Sequence, residues 1–369
     1  MFFYLFIFSV CIFLGFFADC TNKRASGVAT LCITFLLSYI GGVRNLGIGT
    51  DTLVYTENYF WEAVHLDSWK DFFEASHDKG YMLLNYMAVL CNKKVWMAQF
   101  VIQFFTHGLI FMTAFKIKHL CRFKMTLFTI LYCCVFYNQS YNFMRQYCAL
   151  ALLMWGLYYA LDKRWYIYIL CQFGAFFFHS SSLLFLLVPF LYHLCTQYYG
   201  SKWRCVIVGG AIISLIVATT CFYEVLDLLN TIEVVSDTHA NRYAEGDDFG
   251  ARSGVRKSLV LLIVCIFYFC YVSHKRIIGV RGLPLFVFSL NVFFMAFYAL
   301  SFYSVYLYRL ALYFYMPLML FVTLVVSSRK ILNAERAVWV MLLLLDWLLY
   351  VVKNNGAESF PYHSKILGI

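Results

Sequence analysis

The chain is 369 residues long, with 63% apolar, 21% aromatic and 13% charged residues, only 4 prolines and a net charge of +10. A soluble protein carries about 45–50% apolar and about 25% charged residues, so this composition excludes an ordinary soluble protein. Each helical crossing of a bilayer takes about 20 residues, and the apolar excess therefore predicts one integral-membrane domain, residues 1–369, with about twelve crossings.

Long apolar runs follow one another along the whole sequence. Only helices and closed barrels can span lipid, and the alternating pattern of a barrel is absent, so we predict an all-α polytopic membrane protein. Residues 1–18 are apolar and uncharged. They lack the basic start and the cleavage site of a signal peptide, and we interpret them as the first crossing.

Basic residues collect in six short segments between the apolar runs, and only Asp19, Asp162 and Glu335 accompany them as acids. Lysine and arginine accumulate on the cytoplasmic side of membrane proteins, so these segments are predicted to face inward. The positive charge then reflects topology, and we expect no nucleic-acid partner. The segments contain Lys23 and Arg24; Lys116, Lys118, Arg122 and Lys124; Lys163 and Arg164; Lys202 and Arg204; Lys275, Arg276 and Arg281; and Arg329, Lys330 and Arg336.

The apolar stretch from Tyr81 to Cys91 decides the topology, because a crossing there would invert every later loop. A helix of this length measures about 17 Å, which is short of a hydrocarbon core of about 30 Å. We therefore predict an interfacial or re-entrant helix within a long first outer loop, residues 43–94. A second outer loop is predicted at 224–257, and both termini are predicted outside.

The cysteines and the acidic residues do not form a metal-binding pattern. Many of the 14 cysteines lie within apolar runs, and no CxxC pair or His/Cys cluster at zinc spacing is present. The acids of residues 245–248 lack the ordered spacing of a calcium loop and are interpreted as a solvated loop. We expect neither a metal nor a cofactor.

Polar motifs are concentrated on the predicted outer side. The first is Arg44-x-x-Gly-x-Gly-Thr-Asp-Thr-x-x-Tyr55, and Gly80-Tyr81 opens the short helix. Further along, outer turns contain Arg145-Gln146, His179-Ser180 after an aromatic run, Tyr308-Arg309 and the late Phe360-Pro361-Tyr362. In these residues, and nearly end to end, the sequence resembles the EpsG family of exopolysaccharide biosynthesis proteins, relatives of Wzy-type O-antigen and capsule polymerases.

The resemblance implies a membrane glycosyltransferase that acts on undecaprenyl-diphosphate-linked repeat units at the outer leaflet of the bacterial plasma membrane. It implies a GT-C-like helical bundle and the lipid-linked oligosaccharide as both donor and acceptor, with a chain-length regulator as a further partner. The planar guanidinium group binds phosphate oxygens bidentately, which suits Arg44, Arg145 and Arg309 to a leaving diphosphate.

Other residues are candidates for proton transfer and glycan binding. Asp51 or His179 would remove the proton of the acceptor hydroxyl. The candidates for glycan contacts are Tyr55, Tyr81, Gln146, Arg242, Tyr243 and Tyr308.

Structural interpretations compete with these roles. The arginines can be interfacial anchors, Asp51 can cap a turn, His179 can be an interfacial histidine, and the tyrosines can belong to an aromatic belt. Asp346, within the last crossing, is interpreted as paired in the bundle. Two other functions also fit twelve helices: a lipid-linked oligosaccharide flippase or other transporter, and a membrane acyltransferase that uses His179.

Overall fold

The computed structural model describes residues 1–49, 52–66, 69–74, 78–120, 123–197, 210, 283–300, 305–328, 331–355 and 358–369, and every regular element in these ranges is a helix. The described residues form two compact units. The first unit comprises Met1–Leu183 and Leu332–Ile369, and the second comprises Leu184–Ile331. Whether the chain is a single domain stays a prediction.

The first unit contains most of the described helices. They are α1 (Phe2–Cys20), α2 (Lys23–Gly42), a π-helical turn (Thr52–Glu57), α3 (Asn58–Val64), α4 (Trp69–Glu74), α5 (Lys79–Cys91), α6 (Val95–Leu120), α7 (Met125–Leu131), α8 (Met144–Leu161) and α9 (Trp165–Phe176). Helix α7 continues through a π-helical segment (Tyr132–Tyr137) and a 3-10 turn (Asn138–Tyr141). Near the C-terminus, α13 (Asn333–Trp347) continues through a π-helical segment (Leu348–Lys353) and packs against α7 and its continuation.

The second unit begins in the 3-10 turn Ser180–Leu186, which straddles the boundary, and its described helices are α10 (Leu187–Gln197), α11 (Leu283–Leu300) and α12 (Val305–Val326). Aromatic rings join α11 to α12. The Phe294 ring stacks on Tyr315 at 4.7 Å between centroids, and Phe293 stacks on Phe314 at 5.3 Å. This packing holds the middle of α12, which begins at Val305 and contains Tyr308 and Arg309 in its first turns, against α11.

Two segments that the sequence predicts on the cytoplasmic side come together at one end of the first unit. The Asp19 carboxylate caps α7, because it accepts hydrogen bonds from the backbone N–H of Met125 (2.8 Å) and of Thr126 (3.0 Å). The Lys118 ammonium group donates to the carbonyl of Ala18 and to the Ser26 hydroxyl (2.8 Å). These bonds gather the ends of α1 and α6 and the starts of α2 and α7.

At the opposite end of this unit, α2 and α6 approach closely. A Cβ atom added to Gly42 would lie 2.7 Å from Cβ and 2.8 Å from Cα of Phe100, so only glycine allows this contact. Helix α5 packs against α6 and α3, and it buries Tyr81, Met82 and Ala88. With 13 residues, α5 is about 20 Å long, shorter than a hydrocarbon core of about 30 Å. The short helix is therefore present, and its interfacial placement stays a prediction.

Every predicted crossing that falls on described residues forms a helix there. Five helices of this part of the chain are long and apolar enough to cross a membrane by length and composition: Phe2–Cys20, Lys23–Gly42, Val95–Leu120, Ser180–Gln197 and Tyr308–Val326. The predicted outer loop 224–257 lies outside the described residues, as do residues 198–209 and 211–282. The total of twelve and the GT-C-like arrangement stay predictions.

Candidate functional site

The sulfur atom of Met144 joins three segments that are distant in sequence. Nη2 of Arg44 (3.5 Å), the Thr56 hydroxyl (3.3 Å) and the Tyr81 hydroxyl (3.8 Å) lie within hydrogen-bond distance of it. The hydroxyl groups of Thr56 and Tyr81 also bond to each other at 2.8 Å. We call these four residues the Met144 cluster. It holds the loop after α2, the π-helical turn, the start of α5 and the start of α8 against one another.

Arg44 is buried in the loop that follows α2, with 3% of its surface exposed. Its Nε donates to the carbonyl of Ile48 (3.2 Å), Nη1 donates to the carbonyl of Gly41, and Nη2 donates to the Thr52 hydroxyl (3.0 Å). Burial lowers the pKa of the guanidinium group from its ordinary value. Arg44 therefore closes its own loop, and its donors are directed at groups of the protein.

The guanidinium carbon of Arg44 also lies 4.2 Å from the centroid of the Tyr141 ring. Gly49 has a φ of +85°, a region that favours glycine, and an added Cβ would lie 2.7 Å from the carbonyl oxygen of Tyr141. Within the described part of the chain, no carboxylate lies within 4.0 Å of the Arg44 side chain. Among the described residues, the Arg44 guanidinium group is therefore surrounded by backbone carbonyl groups, the Thr52 hydroxyl and the Tyr141 ring.

The last residues of the chain, Glu358–Ile369, brace the Arg44 loop, and we call them the C-terminal segment. It contains the Phe360-Pro361-Tyr362 motif, and burial raises the pKa of the Tyr362 hydroxyl to about 12. The hydrogen bonds to the loop and to the end of α2 join Asn45 N to His363 O (3.0 Å), Gly49 N to Glu358 O (3.1 Å), the Ser364 hydroxyl to Val43 O (2.5 Å) and the Tyr362 hydroxyl to Ile40 O (2.9 Å).

Arg145 follows Met144 directly at the start of α8, and its environment differs from that of Arg44. Its Nη1 forms an ion pair with the carboxylate of Asp78, and its guanidinium carbon lies 3.7 Å from the centroid of the Tyr55 ring. The Asp78 carboxylate also accepts a hydrogen bond from the Tyr59 hydroxyl at 3.0 Å. The Arg145 and Asp78 side chains are 17% and 21% exposed. This ion pair is therefore accessible from outside the protein core.

His179 follows the end of α9, beside the start of α5. The backbone N–H of Gly80 donates to the carbonyl of Phe177 (2.9 Å), and an added Cβ at Gly80 would lie 2.8 Å from the ring of Phe178. His179 itself is half-buried, and its Nδ1 bonds to the Ser181 hydroxyl at 2.6 Å. The close contact at Gly80 thus brings the chain that carries His179 against the helix start next to Asp78.

The structure places four of the predicted site residues in one region: Arg44, Arg145, Tyr55 and Tyr81. Gln146 is buried on α8, one residue beyond Arg145. Tyr308 and Arg309 belong to the second unit, where both are partly exposed on α12 and the Tyr308 ring meets Tyr298 edge to face at 5.9 Å. The convergence of all three arginines stays a prediction. Asp51, Arg242 and Tyr243 lie outside the described residues.

Four residues of this region were not predicted from the sequence: Thr56, Tyr59, Asp78 and Met144. Asp78 directly precedes the Lys79-Gly80-Tyr81 motif, and its acidic side chain in an outer loop was the available signal. Met144 has no comparable signal, because a methionine in an apolar segment is ordinarily a core residue. The role of Met144 becomes visible only in the structure, where polar groups of Arg44, Thr56 and Tyr81 surround its sulfur.

Comparison with known proteins identifies the family of the chain. A family model described as the EpsG family matches residues 27–364. The match includes the Met144 cluster, the Arg145–Asp78 pair, His179, Arg309 and most of the C-terminal segment. No curated protein and no solved structure matches the chain.

Proposed function

Because the chain belongs to the EpsG family, whose members are Wzy-type polymerase-like membrane proteins, we propose that it is a polysaccharide polymerase acting on lipid-linked repeat units. The donor is a glycan on undecaprenyl diphosphate, and the acceptor is a second lipid-linked repeat unit. The observation that carries this proposal is the accessible Arg145 guanidinium beside the buried charge of Arg44. Arg44 belongs to the Met144 cluster, and Arg145 is the residue that follows Met144.

In the proposed reaction, an acceptor hydroxyl attacks the anomeric carbon of the donor glycan. A new glycosidic C–O bond forms while the bond between the anomeric carbon and the diphosphate oxygen breaks, and the bonding electrons leave with the polyprenyl diphosphate. The acceptor proton passes to Asp51 or to His179. Negative charge grows on the leaving diphosphate, so positive groups fixed near it stabilise the transition state more than the ground state.

The two arginines of the first unit are assigned different tasks in this reaction. Arg145 contacts the diphosphate, because its guanidinium group is partly exposed and a planar fork matches two phosphate oxygens. Arg44 contributes a fixed positive potential from inside the protein, since it is buried and its donors are bonded to groups of the protein. Arg309 remains the third arginine predicted for the diphosphate.

The remaining candidates are assigned to the glycan. Tyr55 and Tyr308 present partly exposed rings that can stack on sugars, and Arg242 and Tyr243 supply polar contacts. Gln146 is buried, so we assign it to the support of the site. Tyr81 is fully buried and its hydroxyl bonds to Thr56, so we assign it to holding the site together beneath the glycan. The site is proposed to face the outer side of the bacterial plasma membrane, where a chain-length regulator would act on the product.

Reconstitution tests this proposal against its rivals. Proteoliposomes receive labelled lipid-linked repeat units, and the readouts are a ladder of longer glycans and the movement of label between leaflets. We expect a ladder without translocation, and loss of the ladder in Arg145→Lys. Translocation without a ladder would instead identify a flippase, and transfer of an acyl group without a ladder would identify an acyltransferase.

A further inference from the structure

The two arginines of the first unit differ in what holds them. Arg44 donates to two backbone carbonyls and a hydroxyl inside its own loop, and these partners cannot leave. Arg145 is held by one carboxylate, that of Asp78, and its Nε has no hydrogen-bond partner among the described residues. The Arg145 guanidinium therefore has both an exchangeable partner and an unused donor.

Asp78 occupies the N-cap position of α5, yet its side chain makes no capping hydrogen bond. Aspartate at this position ordinarily accepts a hydrogen bond from the backbone N–H two or three residues later. Here the Tyr81 N–H instead reaches the backbone carbonyl of Asp78 at 3.1 Å. The carboxylate is turned to Arg145 and the Tyr59 hydroxyl, and a capping bond from the Tyr81 N–H would share or replace its present bond to the Asp78 carbonyl.

We propose that Asp78 is the internal counter-anion of Arg145, which the diphosphate of the lipid-linked substrate displaces. The inference rests on the function proposed above. Asp78 presents one carboxylate oxygen to Nη1 of Arg145, and a phosphate oxygen can take its place without moving the arginine. On displacement, the Asp78 carboxylate caps α5 by accepting the Tyr81 N–H. No covalent bond changes in this exchange.

The exchange affects release of the product as well as binding of the substrate. The Arg145 and Asp78 side chains are partly exposed, so a diphosphate can reach the pair, and its larger charge allows it to replace Asp78. After glycosyl transfer the polyprenyl diphosphate still occupies Arg145. Return of the Asp78 carboxylate competes with it and lowers its affinity, which favours turnover over product inhibition.

The test measures binding of geranylgeranyl diphosphate to the full-length protein in detergent, with geranylgeraniol as the probe without phosphate. In Asp78→Asn the competing charge is absent, and we expect roughly three- to tenfold tighter binding of the diphosphate, which corresponds to about 0.6–1.4 kcal/mol. Binding of geranylgeraniol should not change. Asp162→Asn is the matched control, because Asp162 pairs with Arg164 at 3.0 Å on an exposed turn after α8.

A second pair of variants isolates the interaction between the two residues. In Arg145→Gln the probe should bind more weakly, and adding Asp78→Asn to that variant should give no tightening, since the pair no longer exists. If the Asn variant does not fold, Asp78→Ser removes the charge and keeps a capping side chain. It carries the same expectation.

The outcomes separate this inference from the proposed function. If the Asp78 variants bind the probe as the wild type does, or more weakly, while Arg145→Gln is impaired, then Asp78 only positions Arg145 and the exchange is refuted. If Arg145→Gln binds the probe normally, Arg145 does not contact the diphosphate. That result overturns its assignment in the polymerase as well.

Discussion

Replacement of Arg44 by lysine separates an arginine that holds the site from one that contacts the substrate. Lysine keeps the positive charge but has no planar fork and donates from a single nitrogen. At Arg44 the fork connects Gly41, Ile48 and Thr52. At Arg145 the same substitution retains a cation beside Asp78. We therefore expect both variants to lose turnover, and only Arg44→Lys to lose stability as well.

The size of the loss follows from the contacts. A lysine at position 44 can keep about one of the three hydrogen bonds to oxygen, and a bond to a charged donor contributes about 1.5–3 kcal/mol. Loss of two bonds then costs about 3–6 kcal/mol. The Ile48 carbonyl still accepts the Thr52 hydroxyl at 3.1 Å, which favours the lower end of this range. At Arg145 the main loss is stacking on Tyr55, about 0.5–1 kcal/mol at a partly exposed site.

The assay compares the two lysine variants with the wild type in the same detergent. Stability is measured as the fraction of protein that stays monodisperse after heating, and turnover as glycan elongation in proteoliposomes. An Arg44→Lys protein with wild-type heat resistance would refute the assignment of Arg44 as the residue that closes its loop. A large loss of stability in Arg145→Lys would show that the contact of the Arg145 guanidinium group with the Tyr55 ring is structural.

Three further predictions concern the base, the packing and the topology. Asp51→Asn or His179→Gln should lower turnover at least about a hundredfold at whichever residue is the general base, and near-normal turnover with normal expression excludes that residue. Gly42→Ala should cost about 1–3 kcal/mol in thermal unfolding, whereas Gly108→Ala, whose nearest contact would be 3.9 Å away, should be neutral or stabilising; equal effects contradict the α2–α6 packing. A cysteine introduced at Lys163 should react with a thiol reagent only from the cytoplasmic side, and labelling from outside would overturn the twelve-crossing topology.

The helices were largely predictable because lipid makes apolar length a strong signal. The sequence predicts a short helix from Tyr81 to Cys91, and the structure has it as Lys79–Cys91. The basic segments predict where the crossings end. In the structure, Asp19 and Lys118 form hydrogen bonds to neighbouring helices at one end of the first unit. A periodic pattern shows where a helix lies. It does not show which residues meet across two helices.

The contacts of the site were not predictable for that reason. Asp78 and Arg145 are 67 positions apart, and the Ser364 hydroxyl bonds to the carbonyl of Val43 across 321 positions. The contribution of Arg44 depends on carbonyl groups, which every residue carries and no sequence pattern reveals. The sequence therefore indicated which side chains carry charge, while the fold determines whether that charge is used inside the protein or remains available.

This difference between the arginines meets two opposing requirements of a reaction that releases a diphosphate. A positive group that needs no rearrangement stabilises the leaving charge most effectively, and the braced loop holds Arg44 in that way. The same fixed charge also binds the product, and a site made only of such groups would retain polyprenyl diphosphate. An exchangeable pair resolves the conflict, because Asp78 neutralises Arg145 whenever the diphosphate departs. Loss of Asp78 should then lower the turnover number together with the KM, whereas loss of Arg44 should lower the turnover number without lowering the KM.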